Sequence, residues 1–380
     1  MNHIKAEFCQ QIHYKKEGIF IFISELPCIN SRSDAYIEMR LASIMHKLLI
    51  KSALIASFAV ISGCSSDSNT KGVDQSSSES NSSTEVVTGG STAVSSLDTG
   101  SCSDLVENVT LLKDGFKWTE GPAWDKGNKR WIFSDVMGDT EYAITPGGDL
   151  TTLRENAGFP NGHAAKSDGS FVVAQHDRTL DSVAGDGSNF MLVADTYEGN
   201  KLNSPNDVSI GNDDAIYFTD PMFGIQGFGP EKAESALGYA GVFRLTNGSL
   251  DLINNDLATP NGIAITNDQK TLIVSDTATN SLYSIDLDSY SNDPLPAVKL
   301  AELAPIEGGG EGHGPDGLRV SSDNSIWATG KGGINVLTND GSKTCSIPFP
   351  NHVANLAFGG DNDNLILVTS ADKLYTITLK

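Results

Sequence analysis

Glu120, Asn161, Asn206, Asn261, Asp316 and Asn355 each carry a side-chain oxygen, and each stands where a turn passes into a short strand. Around them the chain repeats one phrase. It reads E-G-P-A-W-D-K-G-N-K-R-W-I-F-S-D from Glu120, P-N-G-H-A-A-K-S-D-G-S-F-V-V-A-Q from Pro160 and P-N-D-V-S-I-G-N-D-D-A-I-Y-F-T-D from Pro205. It returns as P-N-G-I-A-I-T-N-D-Q-K-T-L-I-V-S-D from Pro260, P-D-G-L-R-V-S-S-D-N-S-I-W-A-T-G from Pro315 and N-L-A-F-G-G-D-N-D-N-L-I-L-V-T-S from Asn355. Hard oxygen donors without His or Cys suit Ca²⁺ or Mg²⁺, with Mn²⁺ and Zn²⁺ as further candidates. One Glu and one Asp would balance a divalent charge. Taken singly, Asn and Asp beside Pro and Gly are ordinary turn residues; the set of six points to a common centre. Glu120 stands two residues before its proline rather than one after, and its longer side chain is expected to make up the distance.

Each phrase is a turn, a short strand, a polar turn and a second apolar strand. The anchors recur every 38 to 55 residues. The intervals hold further strands, such as Gly241 to Leu245 with Leu250 to Ile253, and Ser281 to Asp286 with Ala297 to Leu300. Four short strands per period of this size predict an all-β six-bladed β-propeller, with a β-sandwich as the other architecture. In a propeller the first strand of each blade lines the central channel, so the six oxygens would face one axis. Closure requires residues 105–118 to complete a blade with the C-terminal strands.

The propeller domain is expected over residues 101–380, preceded by a segment (1–63) that ends in a signal peptide and by a Ser-rich tether (64–100). Residues 1–44 carry no usable periodicity. From Met45, Lys47 and Lys51 precede an apolar run ending I-S-G-C, the parts of a secretory signal. That ending resembles a bacterial lipobox, which implies cleavage before Cys64 and lipidation of its sulfur; a plain signal peptide or a chance apolar run is the alternative. Ser65 after Cys64 favours the outer membrane over the inner by the same resemblance. The expectation is an exported, periplasmic or surface-facing lipoprotein that meets the membrane only through its anchor. Residues 65 to about 100 are too poor in large apolar groups to fold. With Cys9, Cys28 and Cys64 upstream, Cys102 and Cys345 form one disulfide or remain two thiols. The net charge of −22 excludes a phosphate-backbone partner.

The combination E-G-P-x-W, S-P-N-D, Y-F-T-D-P, P-N-G-I-A, P-D-G-L-x-V, I-W-A-T-G-K-G-G-I-N-V and N-L-A-F-G-G resembles the gluconolactonase family that includes senescence marker protein (regucalcin), over about residues 105–380. That resemblance implies a six-bladed propeller with one divalent metal at the channel mouth. It places Glu120, Asn206, Asn261 and Asp316 around the metal, with Asp316 doubling as general acid/base and Asn206 shared with substrate or water. His176 matches a family His at the end of the same strand. Asn161, His176 and Asp207 are expected to face a small-molecule lactone, whereas His163 and His313 read as supporting or surface residues. The insertion Met222 to Tyr239 reads as a lid or a long surface loop.

The implied activity is that of a monomeric metal-dependent lactonase with Ca²⁺ favoured. Phosphotriester hydrolysis on the same site, and a non-catalytic sugar- or protein-binding propeller, are the other readings.

Overall fold

The computed structural model describes residues 96–380 except Asn292. The expected signal segment, Cys64 and nearly all of the tether lie outside the described residues. Six four-stranded antiparallel units make up the rest, so the β-propeller is observed and the β-sandwich is not.

Blade 1 is Thr119–Asp125, Arg130–Asp135, Thr140–Ile144 and Leu150–Glu155. Blades 2 to 5 begin with Pro160–Ala165, Val208–Ile210, Pro260–Ile265 and Leu318–Val320, and end with Met191–Ala194, Ser249–Asn254, Val298–Glu302 and Lys343–Pro348. Blade 6 joins the two halves of the chain: Asn355–Gly359, Leu365–Ser370 and Lys373–Leu379 are followed outward by Val106–Asp114. Ser96–Leu97, placed in the tether by composition, instead adds a short fifth strand to this blade.

The second strands are apolar without alternation because both of their faces are buried, one against each neighbouring blade. In blade 4, Leu272 and Val274 pack toward blade 3 and Ile273 toward blade 5. Six apolar clusters fill the six gaps between blades. The gap between blades 5 and 6 also holds Cys102 and Cys345, which are joined as a disulfide.

Strand register defines two levels at the channel. Thr119, Pro160 and Pro260 pair with Asp135, Gln175 and Asp276, and the ladder resumes after one extra residue on the inner strand. This bulge turns Glu120, Asn161 and Asn261 toward the axis. Glu120 is therefore in frame: Thr119 fills the proline's slot, the glycine that follows sets the register, and no compensating reach is required. Asn206 and Asp316 occupy the same upper level, since Gly162 N–H donates to Asn206 O (2.8 Å) and Gly262 N–H to Asp316 O (3.0 Å). In blade 6 the equivalent bond runs from Gly317 to Ala354, so Ala354 holds the upper level and Asn355 falls one residue below it. The expected ring of six oxygens is a ring of five.

The lower level comprises Gly121, Gly162, Asp207, Gly262, Gly317 and Asn355. A Cβ on any of the four glycines would overlap the adjacent blade: Asn161 O at Gly121, Asp207 and Asn206 O at Gly162, Asp316 O at Gly262, and the Asn355 amide at Gly317. The two side chains that do occur here meet each other. Asn355 Nδ2 donates to Asp207 Oδ2 (3.3 Å), and Arg319 Nη1 donates to the same oxygen (3.0 Å). Arg319 also donates to Leu318 O and Pro122 O, so its guanidinium links blades 1, 3 and 5 beneath the ring.

Two stability predictions follow from the closure and from this plug. Replacing Cys102 and Cys345 by Ala, or adding reductant, should lower unfolding free energy by about 2–5 kcal/mol in urea titrations. Arg319→Met strands a carboxylate that is 1% exposed, and should cost about 3–5 kcal/mol in the same titration. Adding Asp207→Asn to that variant should recover most of the loss.

Candidate functional site

The upper level brings Glu120, Asn161, Asn206, Asn261 and Asp316 together at the mouth of the channel, all but Asp316 fully buried. Hydroxyl groups on neighbouring strands fix the backbone beneath them. Ser134, Thr219 and Ser275 donate to the carbonyls of Asn161, Asn261 and Asp316 in the next blade. Each hydroxyl stands one residue before the end of its second strand, in the S-D or T-D pair that closes the repeated phrase.

Three amides owe their orientation to acceptors. The Thr277 hydroxyl donates to Pro315 O (2.7 Å), so it accepts from Asn261 Nδ2 (3.0 Å) and leaves Oδ1 toward the axis. Asn261 Oδ1 is buried and makes no hydrogen bond. His176 Nδ1 faces the Phe228 carbonyl at 3.0 Å and must donate to it. Its Nε2 therefore accepts from Asn161 Nδ2 (2.8 Å) and Asn206 Nδ2 (3.4 Å), turning both amide oxygens away from the ring. Burial lowers the His176 pKa to about 4, only partly opposed by the Phe228 carbonyl, and so keeps the ring neutral as this pattern requires. His176, expected at the substrate, is placed to orient the two amides.

Two carboxylates share this space. Burial, then the Asp316 carboxylate, raise the Glu120 pKa well above the ordinary range; the Gly121 N–H (2.7 Å) partly offsets this. Burial, then Asp207, do the same to Asp316, with an Asn261 amide contact opposing. A buried, unpartnered amide oxygen beside two carboxylates that resist ionisation is an electrostatic imbalance, and a divalent cation held by oxygens would correct it. The donors present fit such an ion: Glu120, Asn206, Asn261 and Asp316, with the Asn161 oxygen beside them.

Asp207 lies below the ring, committed to Arg319 and Asn355 rather than presented to a substrate. His163 is buried between Gly121 O (2.8 Å) and Glu141 Oε1 (3.3 Å), and so braces blade 2 against blade 1. Residues 222–239 cover His176: Phe228 O accepts its proton, Gly224 N–H donates to Ser204 Oγ (2.9 Å), and the Phe228 side chain is exposed.

One participant is not anticipated from the sequence. His352 Nε2 lies 2.9 Å from Asp316 Oδ2, and its ring stacks on Trp118 with centroids 5.5 Å apart. Its signal is the Pro350-Asn351-His352 step, which echoes the other Pro-Asn steps three residues ahead of Asn355.

Residues 118–372 match the family described as SMP-30/Gluconolactonase/LRE-like region. A gluconolactonase of Zymomonas mobilis is 30% identical over 257 residues, which are 63% of this chain and 71% of that relative. The structure of a gluconolactonase from Xanthomonas campestris is similar at a TM-score of 0.66 and 28% identity, covering 74% of this chain and 92% of that one. A regucalcin from Agrobacterium tumefaciens shares the fold at a TM-score of 0.59 and 19% identity, covering 71% and 94% of the two chains. With the match running from the entrance of blade 1 to the third strand of blade 6, the chain belongs to the SMP-30/gluconolactonase/LRE-like family.

Proposed function

We propose that the protein is a lactone hydrolase acting on sugar-type lactones, dependent on one divalent cation for which Ca²⁺ is favoured. The family and its gluconolactonase relatives support the lactonase class. The metal dependence rests on one observation, the buried Asn261 Oδ1 without a partner beside Glu120 and Asp316.

Glu120, Asn206, Asn261 and Asp316 would hold the cation, and the Asn161 oxygen faces the same space. When bound, the ion supplies Lewis acidity toward the lactone carbonyl. Asp316 takes a proton from the attacking water, whose oxygen bonds to the carbonyl carbon. The bond from that carbon to the ring oxygen then breaks. Asp316 returns the proton to the departing oxygen, and the product is a hydroxy acid. General acid/base transfer of this kind contributes roughly 10²- to 10⁴-fold. Asn161 would accept a hydrogen bond from a substrate hydroxyl, and residues 222–239, whose Phe228 carbonyl holds His176, would border the bound lactone. The location proposed for this activity, outside the cytoplasmic membrane on a lipid anchor at Cys64, rests on the Met45 to Cys64 segment alone.

Metal removal by a chelator should abolish hydrolysis of a sugar lactone and lower the melting temperature, and restored Ca²⁺ should return both. A panel of sugar lactones beside a phosphotriester tests the class: turnover of the phosphotriester alone overturns the lactonase reading, and ligand binding without turnover of either favours a binding propeller. Asp316→Asn, in which the amide keeps the shape but cannot accept the proton, should reduce kcat by roughly 10²-fold or more with the circular dichroism spectrum unchanged. Wild-type activity in that variant would remove Asp316 from the mechanism.

A further inference from the structure

We infer that His352 is a positioning residue for Asp316: it holds one carboxylate oxygen with a fixed N–H, so that the other faces the ring of amide oxygens. The inference rests on the reading of Asp316 as ligand and base, and it extends that reading to a blade that contributes only Ala354 at the upper level.

Both nitrogens of the His352 ring are assigned by their partners. The backbone N–H of His313 points at Nδ1 (3.2 Å), and a backbone N–H can only donate. Nδ1 therefore carries the lone pair, and Nε2 carries the proton that it donates to Asp316 Oδ2 at 2.9 Å. The same contacts exclude a shuttle. A proton passed through the ring would have to leave from Nδ1, and that atom is already occupied by an incoming N–H. His352 can hold the carboxylate but cannot relay its proton.

The ring is held on three sides. Trp118, just ahead of Glu120, stacks on it at an interplanar angle of 24°. His313 packs against it edge to face, with centroids 5.3 Å apart. The backbone of residue 352 is fixed by the Ser370 hydroxyl, which donates to His352 O (2.9 Å). His313 comes from the glycine-rich connection 303–315 between blades 4 and 5, whose own position is fixed by close packing. A Cβ on Gly309 would overlap Gly332 O, and one on Gly310 would overlap Pro350 O. Gly310 N–H also donates to Phe349 O (2.8 Å). Blades 1, 5 and 6 and this connection thus converge on one imidazole, and that imidazole bonds the proposed site at Asp316 Oδ2.

A carboxylate that binds a metal through one oxygen gains its aim from whatever holds the other, and loss of such an outer partner typically costs about 10- to 100-fold in metal affinity or activity. The test uses two variants. His352→Phe keeps a ring to stack on Trp118 and removes the N–H; His352→Gln keeps an N–H donor. Calorimetric titration of the metal-stripped protein with Ca²⁺ should show affinity about 10-fold or more weaker for His352→Phe. Lactone kcat should fall by a similar factor with KM within about threefold, and His352→Gln should recover a substantial part of both losses. Ca²⁺ affinity and kcat within twofold of wild type in His352→Phe would overturn the inference. So would His352→Gln performing no better than His352→Phe with an equal fall in melting temperature, the mark of a packing role. A third measurement needs neither metal nor substrate. Long-range ¹H–¹⁵N NMR of the metal-free protein should find His352 as the Nε2–H tautomer, with that proton's shift altered in Asp316→Ala. An Nδ1–H tautomer would overturn the inference even if the lactonase reading stands, and a wild type without turnover but with the expected tautomer would fault the lactonase reading alone.

Discussion

The six inner strands approach the axis more closely than a side chain at the lower level allows in four of the blades. At Gly121, Gly162, Gly262 and Gly317 the space for a Cβ is already filled by the next blade. This constraint sets the spacing of the ring, because the amide N–H groups of Gly162, Gly262 and Gly317 each bond a carbonyl of the adjacent inner strand. It also decides what the channel can contain. With four glycines at the lower level, Asp207 and Asn355 are the side chains left to fill it, and Arg319 rises from below to meet them. The channel is consequently a shallow bowl above a polar plug, with the carboxyl groups of Glu120 and Asp316 at its rim.

Above the plug, orientation comes from groups that can act in only one way. A carbonyl cannot donate and a backbone N–H cannot accept, so Pro315 O, Phe228 O and His313 N–H dictate the state of Thr277, His176 and His352 in turn. Those three set the amides of Asn261, Asn161 and Asn206 and the carboxylate of Asp316. Backbone atoms, which the fold has already placed, thereby determine which way each functional oxygen points. Preorganisation of this kind requires no rearrangement when a ligand arrives.

The inner halves of the blades were legible because their signal is local. A Pro-Asn-Gly step, a bulge and an unbroken apolar second strand are contained within one phrase, and six phrases at regular intervals imply a closed ring. Glu120, Asn161, Asn206, Asn261 and Asp316 could be named on that basis. The frame was harder. Proline looked like the marker of position, but the glycine after the upper-level residue is the physical marker, because that is where the blades touch. Glu120 therefore needed no special reach, and Asn355, which follows an alanine instead of preceding a glycine, slipped down one level. Asp207 shows the same lesson. It stands in a glycine's slot, and its partner Arg319 is 112 residues away, where no local pattern could reveal the pairing. His352 was hidden for a similar reason, since its partners Trp118, His313 and Asp316 come from two other parts of the chain, one of them some 230 residues away. Counting cysteines left Cys345 as the partner available to Cys102 within the propeller, but whether the two are bonded or free thiols needed the structure.

Blade 6 is assembled from both extremities of the folded region, Val106–Asp114 beside Lys373–Leu379. Bringing together segments some 265 residues apart in the chain carries a length-dependent entropic cost of about 5 kcal/mol, by the logarithmic scaling of loop closure. That cost falls on one ladder, whereas the pairings within blades 1 to 5 are between neighbours in sequence. Val106–Asp114 leaves the ribosome long before Lys373–Leu379, and until then only the short Ser96–Leu97 can pair with it. For the whole interval between, the edge of Val106–Asp114 that will meet Lys373–Leu379 is open and the arc of five blades has an open seam, so the molecule is most vulnerable to mispairing, proteolysis and exchange between copies just before the ring closes. The clasp is thus a checkpoint for completeness: a chain truncated ahead of residue 373 can form blades but cannot form the bowl they enclose.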